Sequence, residues 1–557
     1  MSELSTHLES AASSGAPPST ANPWKTRQPS TGLMLGAIVA IGIGLVAGQR
    51  LDQGDYRAAA LPGLSFSERL LPRDGAQPPS AEPGGPWASA TLPVEGLVAT
   101  IGEALAGDPA APFQSQAVGS TLFMALAGFF TVVTAARLAG SGAALGATIA
   151  FVGLPGTFAH ASTLGPEAGT TLTIALLLFA STLRPGGRAQ VLLATLALAA
   201  VAAAHSSGLV FALPWLLGIG AATLGRRDGT SDYPVQTGEV AVGPLPWRAL
   251  IPAVAGPALL FAAWPHLHSE LGKRALALLY APWQSPVPPV AIAGVAYDAT
   301  SGGAPPFVLA FWDLVNRHPI MVVLAAAAGA GVVLAAIRHR APAREAAVTL
   351  AVVGFGLLLC CVNGSPTWDG RDGLSLLAPG IAILAGLGAS AFTHFLGSLL
   401  PPLRTERPQR VLPALLLLSA PLDLARSRPI EFAYRSLLVG GTAGAMTRGY
   451  DVMPPGYLPS KAIEWINENL PPRARVAFGP ELATPSRDTG ERALFEALRQ
   501  RGVVRRDIEG AAVFNATHLV LLGRSAAPHF TDWLETLGEP LVTFDHSGAR
   551  LLAIYAL

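Results

Sequence analysis

The run Gly32-Leu-Met-Leu-Gly-Ala-Ile-Val-Ala-Ile-Gly-Ile-Gly-Leu-Val-Ala-Gly48 is followed within three residues by Leu51-Asp52-Gln53-Gly54-Asp55-Tyr56-Arg57. An uncharged apolar run of this kind reads as a membrane helix, since a span takes about 20 residues of low polarity. A signal peptide is the competing reading. The long polar tail ahead of the run and the lack of an Ala-x-Ala site favour a retained helix. Asp52 and Asp55 then fall just outside the hydrocarbon core. Acids at a loop start are ordinarily solvated, and Asp55 reads that way; Asp52 gains weight because later polar residues are expected on the same membrane face.

Composition supports the membrane reading. Of 557 residues, 51% are hydrophobic and only 13% charged, with a mean hydropathy of +0.44. A soluble domain carries about 25% charge. The net charge of +1 offers nothing to a polyanion, so nucleic acid is excluded as a partner. Cys360 and Cys361 are adjacent inside an apolar run and read as packing residues rather than a disulfide or a metal site. No metal-binding spacing is present; His266 and His268 are too weak a pair to count as one.

Measured against the span length, about eleven transmembrane helices are expected, at roughly 31–49, 118–137, 142–160, 168–184, 188–205, 207–224, 248–266, 319–337, 346–363, 373–398 and 411–426. Arginines recur in alternate loops: Arg137, Arg184/Arg188, Arg226/Arg227, Arg338/Arg340/Arg344 and Arg404/Arg407/Arg410. The positive-inside rule places those loops and the N-terminus in the cytoplasm; Arg50, Arg426 and Arg428 run against it. Residues 1–30, rich in Ser, Pro and Ala, read as a disordered cytoplasmic tail. Residues 31–428 form the membrane domain, with outer loops 50–117 and 266–318. An odd number of spans leaves 429–557 outside. There, strand-like runs at Ala474–Phe478, His518–Leu522, Pro540–Phe544 and Leu551–Tyr555 alternate with helical patterns at Leu458–Asn469, Glu491–Arg501 and Phe530–Leu537, which suggests a small α/β domain. It has no Gly-rich phosphate loop and reads as a structural or acceptor-docking appendage.

Transporters set ionisable groups near the bilayer midplane. Here the spans are nearly free of charge, and the polar groups gather in loops at one interface. That favours an enzyme acting at the membrane surface on a lipid-borne substrate. In the long loop, the amphipathic stretch Leu271–Tyr280 and Trp283 suit the interface. A flippase for lipid-linked saccharides, or a non-catalytic scaffold with an exported domain, are the alternatives.

Several short motifs occur in order. They are Asp52-Gln53, His160-Ala161 through Pro166-Glu167, and Pro288-Pro289 with Gly294 and Tyr297. Next come Phe307, Phe311 and Arg317-His318-Pro319, then Trp368-Asp369-Gly370-Arg371 leading to Leu377-Ala378-Pro379. The last are Leu438-Val439-Gly440-Gly441 through Gly449-Tyr450, Glu464-Trp465-Ile466-Asn467 and Leu470-Pro471-Pro472. Together they resemble glycosyltransferase family 39, the bacterial relatives of dolichyl-phosphate-mannose–protein mannosyltransferases, with the GT-C fold. The resemblance implies a polytopic α-helical membrane enzyme that moves a sugar, with inversion, from a polyprenyl-phosphate carrier at the outer face of the bacterial inner membrane. Its acceptor, protein, lipid or glycan, stays open, as does dependence on a divalent metal; no other cofactor is implied.

The resemblance also implies roles. A carboxylate in reach of the acceptor hydroxyl serves as general base, and Asp52 stands in that place. Glu167, where relatives more usually carry Asp, would orient the acceptor or bind sugar hydroxyls. A planar cation suits a phosphate leaving group, and Arg317 and Arg371 are the candidates; Arg317 at a helix end could instead snorkel. Gln53 replaces the second acid of the family's pair, so the base function falls on Asp52 alone. Gln53, Asp55, His160, His205, Tyr297, His318 and Asp369 complete the expected substrate-contacting set. For His160 and His205, a capping or interfacial role is the plainer alternative.

Overall fold

In the computed structural model, residues 29–51, 56–57, 93–106, 112–162, 166–204, 208–224, 247–263, 276, 290–297, 305–339, 345–361, 372–427, 433–450, 452, 457–458, 460–479, 498, 502–504, 516–522 and 538–557 are described. Helix α1 (Pro29–Leu51) takes up the apolar run quoted first, and α2 (Pro93–Ala106) follows. Then come α3 (Pro112–Gly153), α4 (Pro155–Ala161), α5 (Pro166–Ser181), α6 (Arg188–Ala204), α7 (Ala212–Leu224) and α8 (Ile251–Ala263). After the loop region lie α9 (Phe307–Asn316), α10 (Ile320–Arg338), α11 (Ala347–Cys361) and α12 (Asp372–Leu399). The last helices are α13 (Glu406–Leu417), α14 (Ser419–Ala425), α15 (Gly441–Thr447) and α16 (Ser460–Asn469).

Helix overlies every expected span, several of them in shortened or broken form. Among the described residues four helices are long and apolar enough to cross a membrane: Ser30–Ala47, Ala117–Gly153, Ile320–Arg338 and Leu377–Leu399. The reasons are local. Within α3, Ala139 (φ −144°, ψ 16°) and Gly140 (φ 81°, ψ −168°) leave the helical region, so one element carries two expected spans. Pro155 forces Leu154 into extended backbone and cuts the second of them short. Short 3₁₀ turns at Gly208–Phe211 and Trp247–Leu250 replace the first turns of α7 and α8. Leu418 divides the last expected span into α13 and α14. Helices α2 and α9 fall inside segments read as outer loops.

Small residues set the packing. Along α1, Gly32, Gly36, Val39, Ile43 and Ala47 face inward, at a 3.6-residue repeat. A Cβ on Gly36 would come 2.8 Å from Phe129, and one on Gly32 2.6 Å from Ala136. The outward face carries Leu33, Met34, Ile38, Ile41 and Leu45 at 50–66% exposure, a stripe that water would not tolerate but lipid does. At the centre, a Cβ on Gly388 would fall on the Ala325 carbonyl, and one on Gly386 on that of Ala143. Helices α3, α10 and α12 therefore approach backbone to backbone, as small residues permit in a membrane bundle.

One antiparallel strand pair joins distant loops, β1 (Tyr56–Arg57) with β4 (Tyr457–Leu458), and β2 (Val290–Ile292) with β3 (Val295–Tyr297) forms a local hairpin. The β2–β3 turn is tied to the later chain by Gly294 N–H donating to the Gly449 carbonyl at 3.0 Å. At the C-terminal end, β5 (Arg475–Gly479), β6 (Gly502–Val504), β7 (His518–Leu522), β8 (Val542–His546) and β9 (Ala549–Ala556) form one mixed sheet in the order β6-β5-β7-β9-β8. Ala462, Ile466 and Leu470 of α16 and its exit pack on Val476, Phe478, Val520 and Ile554. The patterns at Glu491–Arg501 and Phe530–Leu537 lie outside the described residues, Leu498 apart, as do nearly all of Leu271–Tyr280 and the tail before residue 29.

Candidate active site

One end of the bundle gathers buried polar groups from stretches far apart in sequence. Helix α4 ends on His160 and Ala161, and α5 opens on Pro166 and Glu167, a proline and an acid suited to a helix N-terminus. His160 and Glu167 are 3% and 2% exposed, with Nδ1 4.0 Å from Oε2. That is too long for a direct hydrogen bond and short enough for the carboxylate to act on the ring through a buried, weakly screening medium. The backbone there is pinned by hydroxyls: Thr121 Oγ1 donates to the Ala161 carbonyl at 2.7 Å and Thr157 Oγ1 to Phe151 at 2.6 Å. A Cβ on Gly156 would stand 3.1 Å from His160 Cδ2 and 3.3 Å from Nε2, so the glycine keeps that edge of the ring clear.

His318 reaches the same place from the turn between α9 and α10. It is buried, with Nδ1 2.9 Å from the Leu314 carbonyl. A carbonyl only accepts, so Nδ1 carries the proton and Nε2 the lone pair. Burial, helped by the neighbouring Arg317 charge and opposed by the Leu314 bond, pushes the imidazole down to about 4; the ring is neutral at pH 7. His160, His318, Gly156, Thr157, Thr171 and Met124 line one narrow recess, with room for about one water molecule.

Beside it lies a buried ionic triad. Arg317 Nε donates to Asp313 Oδ2 at 2.8 Å, and its Nη2 lies 2.7 Å from the same oxygen. Arg435 Nη1 donates to Asp313 Oδ1 at 2.7 Å and stacks its guanidinium over Tyr450. Burial alone would raise the Asp313 carboxyl; Arg317 and Arg435 outweigh it and hold the group below the usual carboxylate range. Ser436 ties the same two segments again, its Oγ donating to Asn316 Oδ1 at 3.0 Å and its N–H to the Asn316 carbonyl at 2.8 Å. Arg317 thus does not snorkel: at 7% exposure its head is turned inward, because Asp313 one turn earlier is a closer partner than bulk water.

The structure therefore brings His160, Glu167 and His318 together, with Arg317 adjoining. Tyr297 ends β3 half-buried against the apolar core and is not among the residues lining the recess. Asp52, Gln53, Asp55, His205, Asp369 and Arg371 lie outside the described residues. The packing of α1 sets its direction. Gly32 meets Ala136, Gly36 meets Phe129, and Gly128 meets Ile43, so α1 runs antiparallel to α3 and ends toward Thr121, the residue bonded to Ala161. The opposite end of the bundle holds Arg137, which donates to Thr182, and Arg404, which donates to Gly397. Asp313, Asn316, Arg435 and Ser436 were not singled out from sequence; pairs separated by about 120 residues leave no local periodic signal. Among the described residues no group of three or more His, Cys, Asp or Glu could hold a metal ion.

No family model and no curated protein sequence matches the chain. Among solved structures it is similar to ArnT from Cupriavidus metallidurans bound to undecaprenyl phosphate, at 13% identity over 94% of this chain and 97% of that one, with a TM-score of 0.44. The apo state of that protein gives 13% identity over 93% and 97%, with a TM-score of 0.46. The apo oligosaccharyltransferase of Archaeoglobus fulgidus gives 13% identity over 89% and 70%, with a TM-score of 0.42.

Proposed function

We propose that the protein is a membrane glycosyltransferase that moves one sugar from a polyprenyl-phosphate donor to an acceptor hydroxyl, with inversion, at the outer face of the inner membrane. The observation that carries this reading is the meeting of His160, Glu167 and His318 at the bundle end toward which α1 runs. These residues come from the sequence stretches that resemble the transferase family, and they are buried where an otherwise apolar bundle has no packing use for them.

In this mechanism Asp52 takes the proton of the acceptor hydroxyl as its oxygen attacks the anomeric carbon. The bond from that carbon to the phosphate oxygen breaks, and its electron pair leaves with the polyprenyl phosphate. Arg317 and Arg371 meet the phosphate charge. Asp313 occupies Nε and Nη2 of Arg317, leaving Nη1 of the planar fork for the phosphate. Glu167 contacts a sugar hydroxyl or orients the acceptor, and Gln53, Asp55, His205, Tyr297 and Asp369 belong to the surrounding shell. The C-terminal sheet lies on the same side of the membrane, where it docks the acceptor.

The test is turnover in sealed proteoliposomes with radiolabelled polyprenyl-phosphate hexoses and pentoses and a membrane extract as acceptor. The expected result is label in an acceptor fraction, with Asp52→Asn lowering the rate by about 100-fold or more, the range of general-base contributions. Label that crosses the bilayer while no acceptor is modified would replace the transferase by a flippase.

A further inference from the structure

We propose that His318 reads one hydroxyl of the transferred sugar, accepting its hydrogen bond at Nε2 within the recess shared with His160; this rests on the transferase reading above. His318 is 3% exposed and lines the recess. Its Nδ1 is committed to the Leu314 carbonyl at 2.9 Å, which fixes the tautomer and leaves Nε2 as the ring's acceptor. The ring stays neutral near pH 7 through burial and the Arg317 charge, so it accepts and does not donate there.

Size narrows the ligand. The recess takes about one water-sized group, so a whole sugar ring stays outside and one substituent enters. Chemistry narrows it again. Thr157 Oγ1 spends its proton on Phe151 and Thr171 Oγ1 on Glu167. The other titratable groups near the ring are His160 with Glu167 behind it, and the Arg317–Asp313–Arg435 triad on the far side of α9's end. A group entering beside His318 therefore meets the Nε2 lone pair, and must itself be an O–H or N–H donor to bond it. A sugar hydroxyl meets both conditions.

The experiment takes the sugar that wild-type protein transfers and compares polyprenyl-phosphate donors in which each hydroxyl in turn is replaced by hydrogen or by fluorine. Fluorine keeps a hydroxyl's size but cannot donate. One position should lose about 10- to 100-fold in kcat/KM, as expected for a buried acceptor left unsatisfied, and the fluoro donor should lose as much as the deoxy donor. In His318→Phe the parent donor should fall while the selective penalty at that position shrinks to within a few-fold; His318→Gln, which still presents an acceptor oxygen, should restore part of the discrimination. A fluoro donor that works as well as the parent, or a selective penalty unchanged in His318→Phe, overturns the inference and leaves the transferase reading standing. No transfer from any lipid-phosphate sugar by wild type overturns both.

Discussion

Arg317 and His318 are neighbours in sequence and opposites in use. Arg317 turns into an ionic cluster: Asp313 takes two of its nitrogens, Nε and Nη2, and Arg435 closes the other side of the same carboxylate. His318 spends one nitrogen on the carbonyl of Leu314 and lines a recess. The first arrangement holds α9 to the chain after α14; the second is shaped for something that comes and goes. The difference teaches how to sort buried polar groups in an apolar bundle. Contacts to fixed partners hold the bundle end in place, and the polar atoms those contacts leave over are the ones available to a ligand.

That sorting can be broken by substitution. Asp313→Ala strands two buried guanidinium groups, and breaking a buried ion pair from one side costs about 3–5 kcal/mol. The expected outcome is a large drop in the thermal unfolding midpoint in detergent. A drop no larger than that of a surface variant would mean that the triad is not the clamp described here.

The recess side has a pH signature. His318 is held down to about 4 when folded, against about 6.5 for an unperturbed histidine. Below 6.5 the unfolded chain takes a proton that the folded one refuses until about 4. Stability is therefore full above pH 6.5, falls as pH drops through this window, and loses about 3 kcal/mol by pH 4. Unfolding midpoints from pH 7.5 to 4 should show the slope in wild type and a weaker one in His318→Asn. The smallest effect belongs to the other end of the bundle. Glu406 and Arg410 pair at 2.7 Å but are 72% and 44% exposed, so Glu406→Gln should change stability by no more than about 0.5 kcal/mol and leave transfer unchanged.

Sequence reading placed the helices well because apolar runs are local. It also singled out His160, Glu167, Arg317 and His318, since polar residues at the mouths of apolar spans stand out. Helix α2 escaped because its 14 residues fall short of a span, although Val94, Leu97, Val98 and Ile101 follow a helical repeat. Asp313 escaped because one acid in the aromatic stretch Phe307–Asn316 looks like the wet face of an interfacial helix. Its partner Arg435 lies 122 residues on. The strands at His518–Leu522 and within Ala549–Ala556 were legible as short, nearly continuous apolar runs. The proline and glycine breaks that shorten or divide several spans were not read, because composition averages over them.

The most direct test is a cryo-EM structure of the protein in lipid with polyprenyl phosphate bound. The account predicts phosphate density within hydrogen-bonding distance of Arg317, at the bundle end that holds His160, Glu167 and His318. Phosphate seated at the opposite end, beside Arg137 and Arg404, would contradict it.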